Sequence, residues 1–528
     1  MKHVQLYDTT LRDGAQQPGI TFSVEDKLKI ARKLDELGIH FIEGGWPGSN
    51  PKDTEFFRRA RDLHLSQALL CAFGSTRRPR VATDKDPNLR ALVRAKTPVV
   101  TLVGKSSEQQ VTRVLETSLE ENLAMIRDSI SFLKSKGCTV FFDAEHFFDG
   151  YKANREYALL TIRTADEAGA DCIVLCDTNG GTLPYDLAAM VEVAGKEVTS
   201  PFGIHAHNDA GLAVACSIVA VRAGVVQVQG TINGYGERCG NANLCSIIPA
   251  LKLKMGIPCV TDEQLAKLKE VAHYVSELAN LSVSARRPYV GSSAFAHKGG
   301  LHVSAMAKWE ASYQHIDPEL VGNRSAVVVS ELSGVSNIVY KARERGLDLS
   351  PGEEARRILE QVKSMEGRGF QYEDAEASFD LLVHRAQPDY RPPFELVDFM
   401  VMVEKRRRPA ASGEETLAEA MVKVRVGEQV VHTASEGNGP VDALDAALRK
   451  ALTEFYPSLA QVRLTDYKVR ILDESAGTEA QVRVLIESSD GEQVWSTVGS
   501  STNIIEASWL ALADSLEYWL LGRGKKSL

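Results

Sequence analysis

Residues 172–209 have the sequence CIVLCDTNGGTLPYDLAAMVEVAGKEVTSPFGIHAHND, and this stretch decides the predicted fold. Its apolar run Cys172–Cys176 predicts a buried strand, Pro184–Val198 predicts a helix, and Pro201–His205 predicts a second strand. Continuous apolar strands that alternate with helices are typical of a parallel sheet covered by helices. Polar residues follow both strands at once, so the stretch also predicts where functional side chains lie.

The same strand–helix unit is repeated across the first half of the chain. The predicted strands are Val4–Tyr7, Phe41–Gly44, Ala68–Phe73, Val99–Val103, Thr139–Asp143, Cys172–Cys176, Pro201–His205 and Val225–Gln229. The helices predicted between them include Val24–Leu37, Ser118–Lys136, Asn154–Ala168, Pro184–Val198 and Gly211–Ala223. Eight units in about 250 residues fit a closed (β/α)8 TIM barrel, and a doubly wound open sheet is the alternative.

Polar residues cluster after many of these strands, which favours the barrel over the open sheet. They are Arg12 and Asp13 after the first strand, Glu43 at the end of the second, Glu145 and His146 after the fifth, Asp177–Asn179 after the sixth, His205–Asp209 around the end of the seventh and Asn233–Asn241 after the eighth. In a barrel, the carboxyl ends of all strands meet at one mouth. We therefore expect these residues to line a single pocket.

Length and composition limit the number of domains and the classes of function that the chain can have. The chain has 528 residues, which predicts roughly two to four domains, and its hydrophobic fraction of 44% is typical of a soluble globular protein. A net charge of −9 gives no electrostatic support for binding nucleic acid or an anionic membrane. The basic run at 405–408 is interpreted as part of a solvated loop.

The start of the chain and the cysteines indicate a cytoplasmic protein. The first residues lack the apolar segment of a signal peptide, and no apolar run is long enough to span a bilayer. The eight cysteines include no Cys-x-x-Cys pair, which predicts reduced thiols. Cys71, Cys172 and Cys216 lie in apolar segments and are predicted to be small core residues.

Three domains are predicted: a barrel at 1–257, a helical linker region at 258–370 and an α+β domain at 371–528. In the linker region, Thr261–Leu281 and Glu353–Met365 are predicted helices. Gly291–Met306 between them is rich in Gly, Ser and His, which suits a mobile loop that covers an active site.

The last part of the chain contains an internal repeat. Leu396-Val-Asp-Phe recurs as Leu464-Thr-Asp-Tyr, Glu419-AMVKVRV recurs as Glu479-AQVRVLI, Gly427-Glu-Gln-Val recurs as Gly491-Glu-Gln-Val, and Pro440-VDALDAAL matches Ile504-IEASWLAL. Each copy predicts a strand, then a second strand or a bent hairpin, and then an amphipathic helix, which together form a β-β-α unit. The carboxyl-terminal domain is therefore predicted to be a duplicated, pseudo-symmetric module.

His205-Ala-His207, at the end of a predicted strand, is a candidate metal site. Residues i and i+2 of a strand point to the same side, so both imidazoles can reach one ion. Asp13 at the barrel mouth can supply a carboxylate, and two imidazoles with a carboxylate suit an open site for a divalent metal. A structural His-x-His without a metal is the alternative.

Arg12 beside Asp13 is a second candidate site. A carbonyl group under attack gains negative charge on its oxygen, and a guanidinium together with a divalent ion can stabilise that oxyanion. A structural Arg–Asp ion pair inside the barrel is the alternative.

Three motifs resemble those of a family of barrel metalloenzymes. They are Asp8-Thr-Thr-Leu-Arg-Asp-Gly14, His205-Ala-His-Asn-Asp209 and Gly234-Tyr-Gly-Glu-Arg-Cys-Gly-Asn241. The family includes 2-isopropylmalate, homocitrate and citramalate synthases, and the resemblance covers the full chain. Segments 41–56 and 141–151 are similar to the citramalate synthase branch, and the end of the chain is similar to the family's leucine- or isoleucine-binding regulatory domain.

The resemblance implies a role for individual residues. The implied metal ligands are Asp13, His205 and His207, with Asn241 near or on a divalent metal (Mg²⁺, Mn²⁺ or Zn²⁺). The implied substrate-binding residues are Arg12, which polarises the keto oxygen, Glu43, Glu145 and Thr178. The implied catalytic residues are Arg12, Glu145, His302 and Tyr313. His302 is the candidate acid/base group, because a neutral imidazole can take or give a proton near working pH. A loop histidine without a role is the alternative.

The family chemistry implies a Claisen-type condensation of acetyl-CoA with pyruvate, followed by hydrolysis to citramalate and CoA. The resemblance also implies a role in isoleucine biosynthesis, a homodimer, and an amino-acid effector, isoleucine, that binds near the helix starts at Gly439 and Asn503. The alternatives are a 2-isopropylmalate synthase that acts on 2-oxoisovalerate, a hydroxyacyl-CoA lyase, and a non-catalytic amino-acid sensor. The duplicated terminal module favours a regulated biosynthetic enzyme over a lyase.

Two positions depart from the family pattern. Cys239 stands where many synthases have Ala, and related lyases use a cysteine on the same loop in a differently spaced motif; Cys239 is interpreted as incidental. Val303-Ser-Ala follows His302, where many isopropylmalate synthases have Gln-Asp. The second departure places the chain off the main isopropylmalate branch.

Overall fold

The first part of the chain forms a closed barrel of parallel strands. The structure is a computed structural model that describes residues 3–347, 349–405 and 416–524. Within this described part the barrel strands are β1 (Gln5–Asp8), β2 (Phe41–Gly45), β3 (Leu69–Ser75), β4 (Val99–Lys105), β5 (Thr139–Glu145), β6 (Cys172–Asp177), β7 (Phe202–Ala206) and β8 (Gln227–Gly230). Neighbouring strands pair in parallel and β8 pairs with β1, so the predicted closed barrel is confirmed and the open sheet is wrong.

Helices cover the outside of the barrel. They are α1 (Val24–Leu37), α2 (Pro51–Arg59), α3 (Pro87–Ala95), α4 (Glu108–Arg113), α5 (Leu119–Ser135), α6 (Phe147–Ala153), α7 (Arg155–Glu167), α8 (Pro184–Ala194), α9 (Ala213–Arg222) and α10 (Leu244–Pro249). Helix α1 begins at a capping box, in which Ser23 and Asp26 bind each other's backbone N–H groups, and ends at Gly38, whose φ is 94°. The helices pack on outward-facing strand residues and form one apolar core.

The barrel interior contains a separate apolar cluster, which lies beneath the polar strand ends. Its members are Tyr7, Phe41, Cys71, Val99, Phe141, Cys172, Val174 and Cys176. Alternate residues of a strand face the same side, so Glu43 lies above Phe41 on β2 and Asp143 lies above Phe141 on β5. The polar residues of the site therefore stand on an apolar floor.

The described chain divides into two compact units. One unit comprises Met1–Phe295 with His315–Ser325, and the other comprises Ala296–Gln314 with Ala326–Leu528. The division into domains at 1–257, 258–370 and 371–528 stays a prediction. Residues 406–415, which include most of the basic run at 405–408, lie outside the described residues.

The helix predicted over Thr261–Leu281 is wrong as one element. The structure has two helices there, α11 (Asp262–Leu265) and α12 (Leu268–Leu278). The break lies where Gly322 packs so closely on the backbone that a Cβ atom at 322 would approach the Ala266 carbonyl oxygen to 2.1 Å. A tertiary contact therefore interrupts a periodicity that continues in the sequence.

The second unit holds short elements around residue 300 and a cluster of helices. These elements are β9 (Ala296–His297), α13 (Gly300–Met306), β10 (Ala326–Val327), α14 (Val335–Glu344), α15 (Glu353–Gly367) and α16 (Glu376–Arg385). The segment Gly291–Met306 is thus partly regular, with one helix where a loop was predicted. Its role as a mobile cover stays a prediction.

The internal repeat forms two units of the same construction, each with three strands and a helix. The first consists of β11 (Glu395–Lys405), β12 (Thr416–Val426), β13 (Gln429–Gly437) and α17 (Pro440–Thr453), and the second of β14 (Arg463–Ile471), β15 (Val482–Ser489), β16 (Val494–Ser501) and α18 (Ile504–Gly524). Each sheet is antiparallel, and the repeated Leu-x-Asp motif carries a register shift in both copies, after Leu396 and after Leu464. The motif lies in the first strand of each unit, and the two strands that follow form a hairpin, which is one of the two predicted alternatives.

Among the residues that the structure describes, no helix combines the length and apolar character needed to cross a membrane.

Candidate active site

Three side chains of metal-binding type converge at the barrel mouth. Asp13 follows β1, His205 lies near the end of β7, and His207 comes directly after β7. Asp13 Oδ2 is 3.4 Å from His205 Nε2 and 3.9 Å from His207 Nε2, and the two Nε2 atoms are 3.3 Å apart. All three residues are buried, and in the described part of the chain they are the one group of three such ligands within 4.8 Å of one another. Their atoms can ligate a single cation.

The electrostatics of the cluster favour an ionised Asp13 and a neutral His207. Burial by itself would raise the pKa of Asp13, but the charge of Arg12 and the hydrogen bond with His205 outweigh it and hold that pKa well below its usual value. Burial and the charge of His205 lower the pKa of His207 to about 4. The carboxylate is therefore ionised and the His207 imidazole neutral near neutral pH, as metal binding demands.

A chain of two hydrogen bonds holds the His205 ring. His205 Nδ1 lies 2.9 Å from Gln229 Oε1, and Gln229 Nε2 donates to Asp143 Oδ1 at 3.2 Å. An amide oxygen can only accept, so Nδ1 carries the proton of the neutral ring, and the Nε2 lone pair of that neutral form is directed at the site. Asp143 is buried beside Glu43, and burial together with that neighbouring charge raises the pKa of Asp143 to about 7.

Asn241 lies beside the same cluster. Its backbone forms a β-bridge with His207, and its Nδ2 atom donates to the Tyr235 carbonyl at 3.2 Å. The Oδ1 atom of Asn241 is buried and accepts no hydrogen bond from the described residues. A buried amide oxygen without a protein donor suits a metal or a metal-bound water, so the donor set fits a divalent cation.

Arg12 is fixed from two sides. Its Nε donates to Glu43 Oε1 at 2.6 Å, and its guanidinium carbon lies 3.8 Å from the centre of the Phe73 ring. One of its terminal nitrogens lies 3.4 Å from Asp13 Oδ2. The guanidinium therefore faces the cavity next to the candidate metal ligands, where it can meet a developing oxyanion.

Glu43 lies beneath this guanidinium, away from the cavity. It has no exposed surface, and its oxygens accept hydrogen bonds from Tyr7 at 2.5 Å, Thr9 at 2.5 Å and Arg12 at 2.6 Å. It is absent from the described residues that line the cavity. Its contacts are therefore those of a group that orients Arg12.

Glu145 and Thr178 both line the cavity. The Glu145 carboxylate forms an ion pair with Lys105, which ends strand β4. The Thr178 hydroxyl accepts a hydrogen bond from the backbone N–H of His146 at 2.8 Å. His146 has a left-handed backbone with φ of 59°, a conformation that is costly for a residue with a side chain and is common at functional sites.

The cavity measures about 370 Å³ and includes residues that the sequence did not single out. These are mainly Trp46, Phe73, Lys105, Asp143 and Gln16. Lys105 and Asp143 lie on strands whose carboxyl ends reach the mouth, so the rule that found Asp13 would also have found them. From the sequence, Trp46 and Phe73 would be placed in the core, as is usual for aromatic residues. In the structure their rings form a T-shaped contact with centroids 5.4 Å apart, and together they form one wall of the cavity.

His302 and Tyr313 belong to the second unit. The two rings stack on each other with centroids 4.1 Å apart, and both residues are exposed. His302 lies on α13. Their predicted contribution to the active site stays a prediction.

The cysteines match their predicted places. Cys71, Cys172 and Cys216 are buried, as predicted for core residues. Cys239 is exposed on the loop after β8. The incidental role assigned to Cys239 stays a prediction.

Three family models match successive parts of the chain. The HMGL-like model matches residues 3–275, a homocitrate synthase post-HMGL domain-like model matches residues 289–369, and a LeuA allosteric (dimerisation) domain model matches residues 373–520. The chain belongs to the HMGL-like family, in the group that contains the 2-isopropylmalate and homocitrate synthases.

Relatives that match nearly the whole chain indicate the branch of the family to which it is most similar. The chain is 56% identical to the (R)-citramalate synthase of Geobacter sulfurreducens and 52% identical to that of Aquifex aeolicus, and each match covers 98% of both chains. Its identity to the 2-isopropylmalate synthase of Methanocaldococcus jannaschii is 31%, over 99% of this chain and 96% of that one. The predicted resemblance to the citramalate synthase branch is confirmed.

Proposed function

We propose that the protein is an acyltransferase that condenses acetyl-CoA with pyruvate and hydrolyses the product to (R)-citramalate and CoA, in isoleucine biosynthesis. The observation that carries this proposal is the convergence of Asp13, His205 and His207 beside Arg12 in one cavity. The relatives named (R)-citramalate synthase, 56% and 52% identical over nearly the full length, support pyruvate as the 2-oxo acid.

Asp13, His205 and His207 would hold a divalent cation (Mg²⁺, Mn²⁺ or Zn²⁺), with Asn241 on it or next to it. The carboxylate, the two imidazoles and the orphaned amide oxygen of Asn241 support this assignment. When bound, such an ion supplies Lewis-acid polarisation and a template for the keto acid. Gln229 keeps the Nε2 lone pair of His205 directed at the site.

Arg12 binds the 2-oxo acid and stabilises the negative charge that develops on its keto oxygen. Glu43 acts through Arg12, since both of its oxygens are already held by protein donors. Glu145 and Thr178 contact the 2-oxo acid from the opposite strands, and Lys105 balances the charge of Glu145. These contacts would orient the keto carbon for attack.

The carbon–carbon bond forms after one proton transfer. His302, paired with Tyr313, takes a proton from the methyl group of acetyl-CoA, and the resulting carbanion equivalent attacks the keto carbon of pyruvate. The keto oxygen becomes an alkoxide beside Arg12 and then takes up a proton. Water next cleaves the thioester C–S bond, which releases CoA as the thiol and leaves the carboxylate of citramalate. The stacking of the two rings and the match of residues 289–369 to a homocitrate synthase domain support these roles.

The carboxyl-terminal module would form a homodimer and bind an amino-acid effector. The match to a dimerisation domain supports the dimer, as do the apolar side chains Met400, Met402 and Val403, which are more than half exposed on strand β11. Isoleucine is the proposed effector, at the starts of α17 and α18 near Gly439 and Asn503. A titration with isoleucine that shows neither binding nor inhibition removes this part of the proposal.

A comparison of keto acids tests the proposed reaction. Thiol release from acetyl-CoA is measured with pyruvate and with 2-oxoisovalerate, in the presence of Mg²⁺ or Mn²⁺. We expect faster turnover with pyruvate; faster turnover with 2-oxoisovalerate would make the protein a 2-isopropylmalate synthase. Asp13→Asn should abolish thiol release, whereas the surface variant Asp62→Asn serves as the control and should keep it.

A further inference from the structure

Lys105 lies at the mouth of the barrel, in the cavity that contains the candidate metal ligands. It is the last residue of β4, and alternate residues of a strand face the same side. Val99 on this strand belongs to the apolar cluster inside the barrel, so Lys105, six residues later, also faces inward. Its carbonyl accepts a hydrogen bond from Asn122 Nδ2 at 2.9 Å. The ammonium group therefore enters the cavity from a fixed point of the backbone.

The ammonium group of Lys105 has donors for a ligand. Its partner is Glu145, which ends the neighbouring strand β5 and lies opposite Lys105 in the strand pairing. Among the described residues, Glu145 is the one carboxylate that forms an ion pair with Lys105. An ammonium group carries three N–H donors. One ion pair therefore leaves donors that can bind an oxygen atom of a substrate.

The arginines that line the same cavity have other partners. Arg238 donates to both oxygens of Asp209, at 2.8 and 2.9 Å, and to the Thr178 carbonyl at 2.8 Å. Arg12 binds the 2-oxo acid in the proposed function. Among the lysines and arginines of the described lining, Lys105 is therefore the cation available to the second substrate, acetyl-CoA.

The proposed reaction places negative charge on the thioester oxygen of acetyl-CoA twice. When the methyl group loses a proton, the C–H electron pair forms a C=C bond and the carbonyl π pair moves to the oxygen, which gives an enolate. After the carbon–carbon bond has formed, water adds to the same carbonyl carbon and the π pair moves to the same oxygen again. The C–S bond then breaks; one proton of the water passes to the departing sulfur and the other is lost to solvent. One fixed cation beside this oxygen can therefore stabilise both charged states.

The apolar part of the cavity favours such an interaction. Val103, on the same face of β4 as Lys105, lines the cavity together with Phe73 and Leu115. Opposite charges attract more strongly where apolar groups exclude water. A substrate that fills the cavity would therefore strengthen the contact between the ammonium group and the thioester oxygen.

We propose that Lys105 is a catalytic residue that binds the thioester oxygen of acetyl-CoA and stabilises its negative charge in both steps. The inference rests on the proposed function and adds the group that serves the acyl donor. Glu145 holds the ammonium group in place and contacts the 2-oxo acid. Loss of the Lys105 charge therefore slows both steps more than it weakens binding of the 2-oxo acid.

Two assays of the metal-loaded, full-length protein separate the steps. Consumption of acetyl-CoA with pyruvate in a single turnover, followed by mass spectrometry, measures enolate formation and condensation. Thiol release from added citramalyl-CoA measures hydrolysis. Lys105→Met should slow both about 100- to 1,000-fold, the loss that follows removal of one oxyanion donor. Lys105→Arg keeps the charge and should retain most of both rates.

Binding of oxamate separates this role from a structural one. Oxamate has the shape and charge of pyruvate, so its Kd, measured by calorimetry, reports the 2-oxo acid site alone. In Lys105→Met this Kd should rise far less than the rates fall, because Arg12 and Glu145 stay in place. Lys134→Met is the matched control: Lys134 forms an ion pair with Asp171, is absent from the described residues that line the cavity, and its loss should leave both rates unchanged.

Three results overturn the proposal: wild-type rates in folded Lys105→Met, a loss in only one of the two assays, or a loss of oxamate affinity as large as the loss of rate. If thermal unfolding shows that Lys105→Met does not fold, the neutral variant Lys105→Gln decides by the same criteria. A wild type that consumes acetyl-CoA with neither pyruvate nor 2-oxoisovalerate would remove the proposed function itself. An active wild type with an equally active Lys105→Met would remove this inference alone.

Discussion

The substitution Gln229→Leu tests whether the hydrogen bond between Gln229 and His205 supports metal binding at the candidate site. The side chain of Gln229 is fully buried, and its Oε1 atom accepts the proton of His205 Nδ1 at 2.9 Å. Leucine has a similar volume and no acceptor. The variant therefore removes the hydrogen bonds of Gln229 with His205 and with Asp143, and leaves the carboxylate and imidazole ligands in place.

The expected loss follows from this contact. Without Gln229, either His205 Nδ1–H is buried without a partner, or the proton moves to Nε2, the atom that faces Asp13. Both results oppose metal binding. Loss of such a supporting group costs about 10- to 100-fold in metal affinity, which corresponds to about 1.4–2.8 kcal/mol.

Competition between the protein and a metal-sensitive chelator measures this affinity directly, with Mn²⁺ and Zn²⁺ as probes. Gln227→Leu is the matched control: Gln227 lies two residues earlier on β8, is equally buried, and its amide makes no hydrogen bond with the described residues. Thermal unfolding without metal confirms that both variants fold. Wild-type affinity in folded Gln229→Leu, or an equal loss in Gln227→Leu, refutes the reasoning.

The structure also predicts the effects of further substitutions. Glu43→Gln should lower kcat/KM for pyruvate about 10- to 100-fold, because it removes the charge-assisted bond that orients the neighbouring guanidinium; unchanged kinetics would contradict this role. Lys27→Met leaves the buried Asp53 carboxylate, now 2.5 Å from Lys27 Nζ, without its cation. The free energy of unfolding in urea should fall by about 3–5 kcal/mol, whereas Lys33→Met, in a partly exposed pair, should change it by less than about 1 kcal/mol. Cys239→Ser should keep full thiol release, since this side chain is exposed; a large loss would favour lyase-type chemistry.

Much of the fold follows from local sequence alone. The apolar runs and helical periodicities located all eight barrel strands within the described residues, and α1 has the bounds that its pattern predicts. These features are local, because backbone propensity, capping and alternation act over a few neighbouring residues. The same holds for the chemical character of Asp13, His205 and His207, since their residue types and their places after strands are visible in the chain.

The contacts between these residues are visible only in the tertiary structure. Barrel closure brings Asp13 to 3.4 Å from His205 Nε2, buries Glu43 under Arg12, and sets Gln229 behind the His205 ring. Each of these contacts joins distant parts of the chain, and its geometry depends on strand register and tilt, which no local pattern encodes. The break between α11 and α12 has the same origin, because the packing of a distant glycine outweighs helical periodicity.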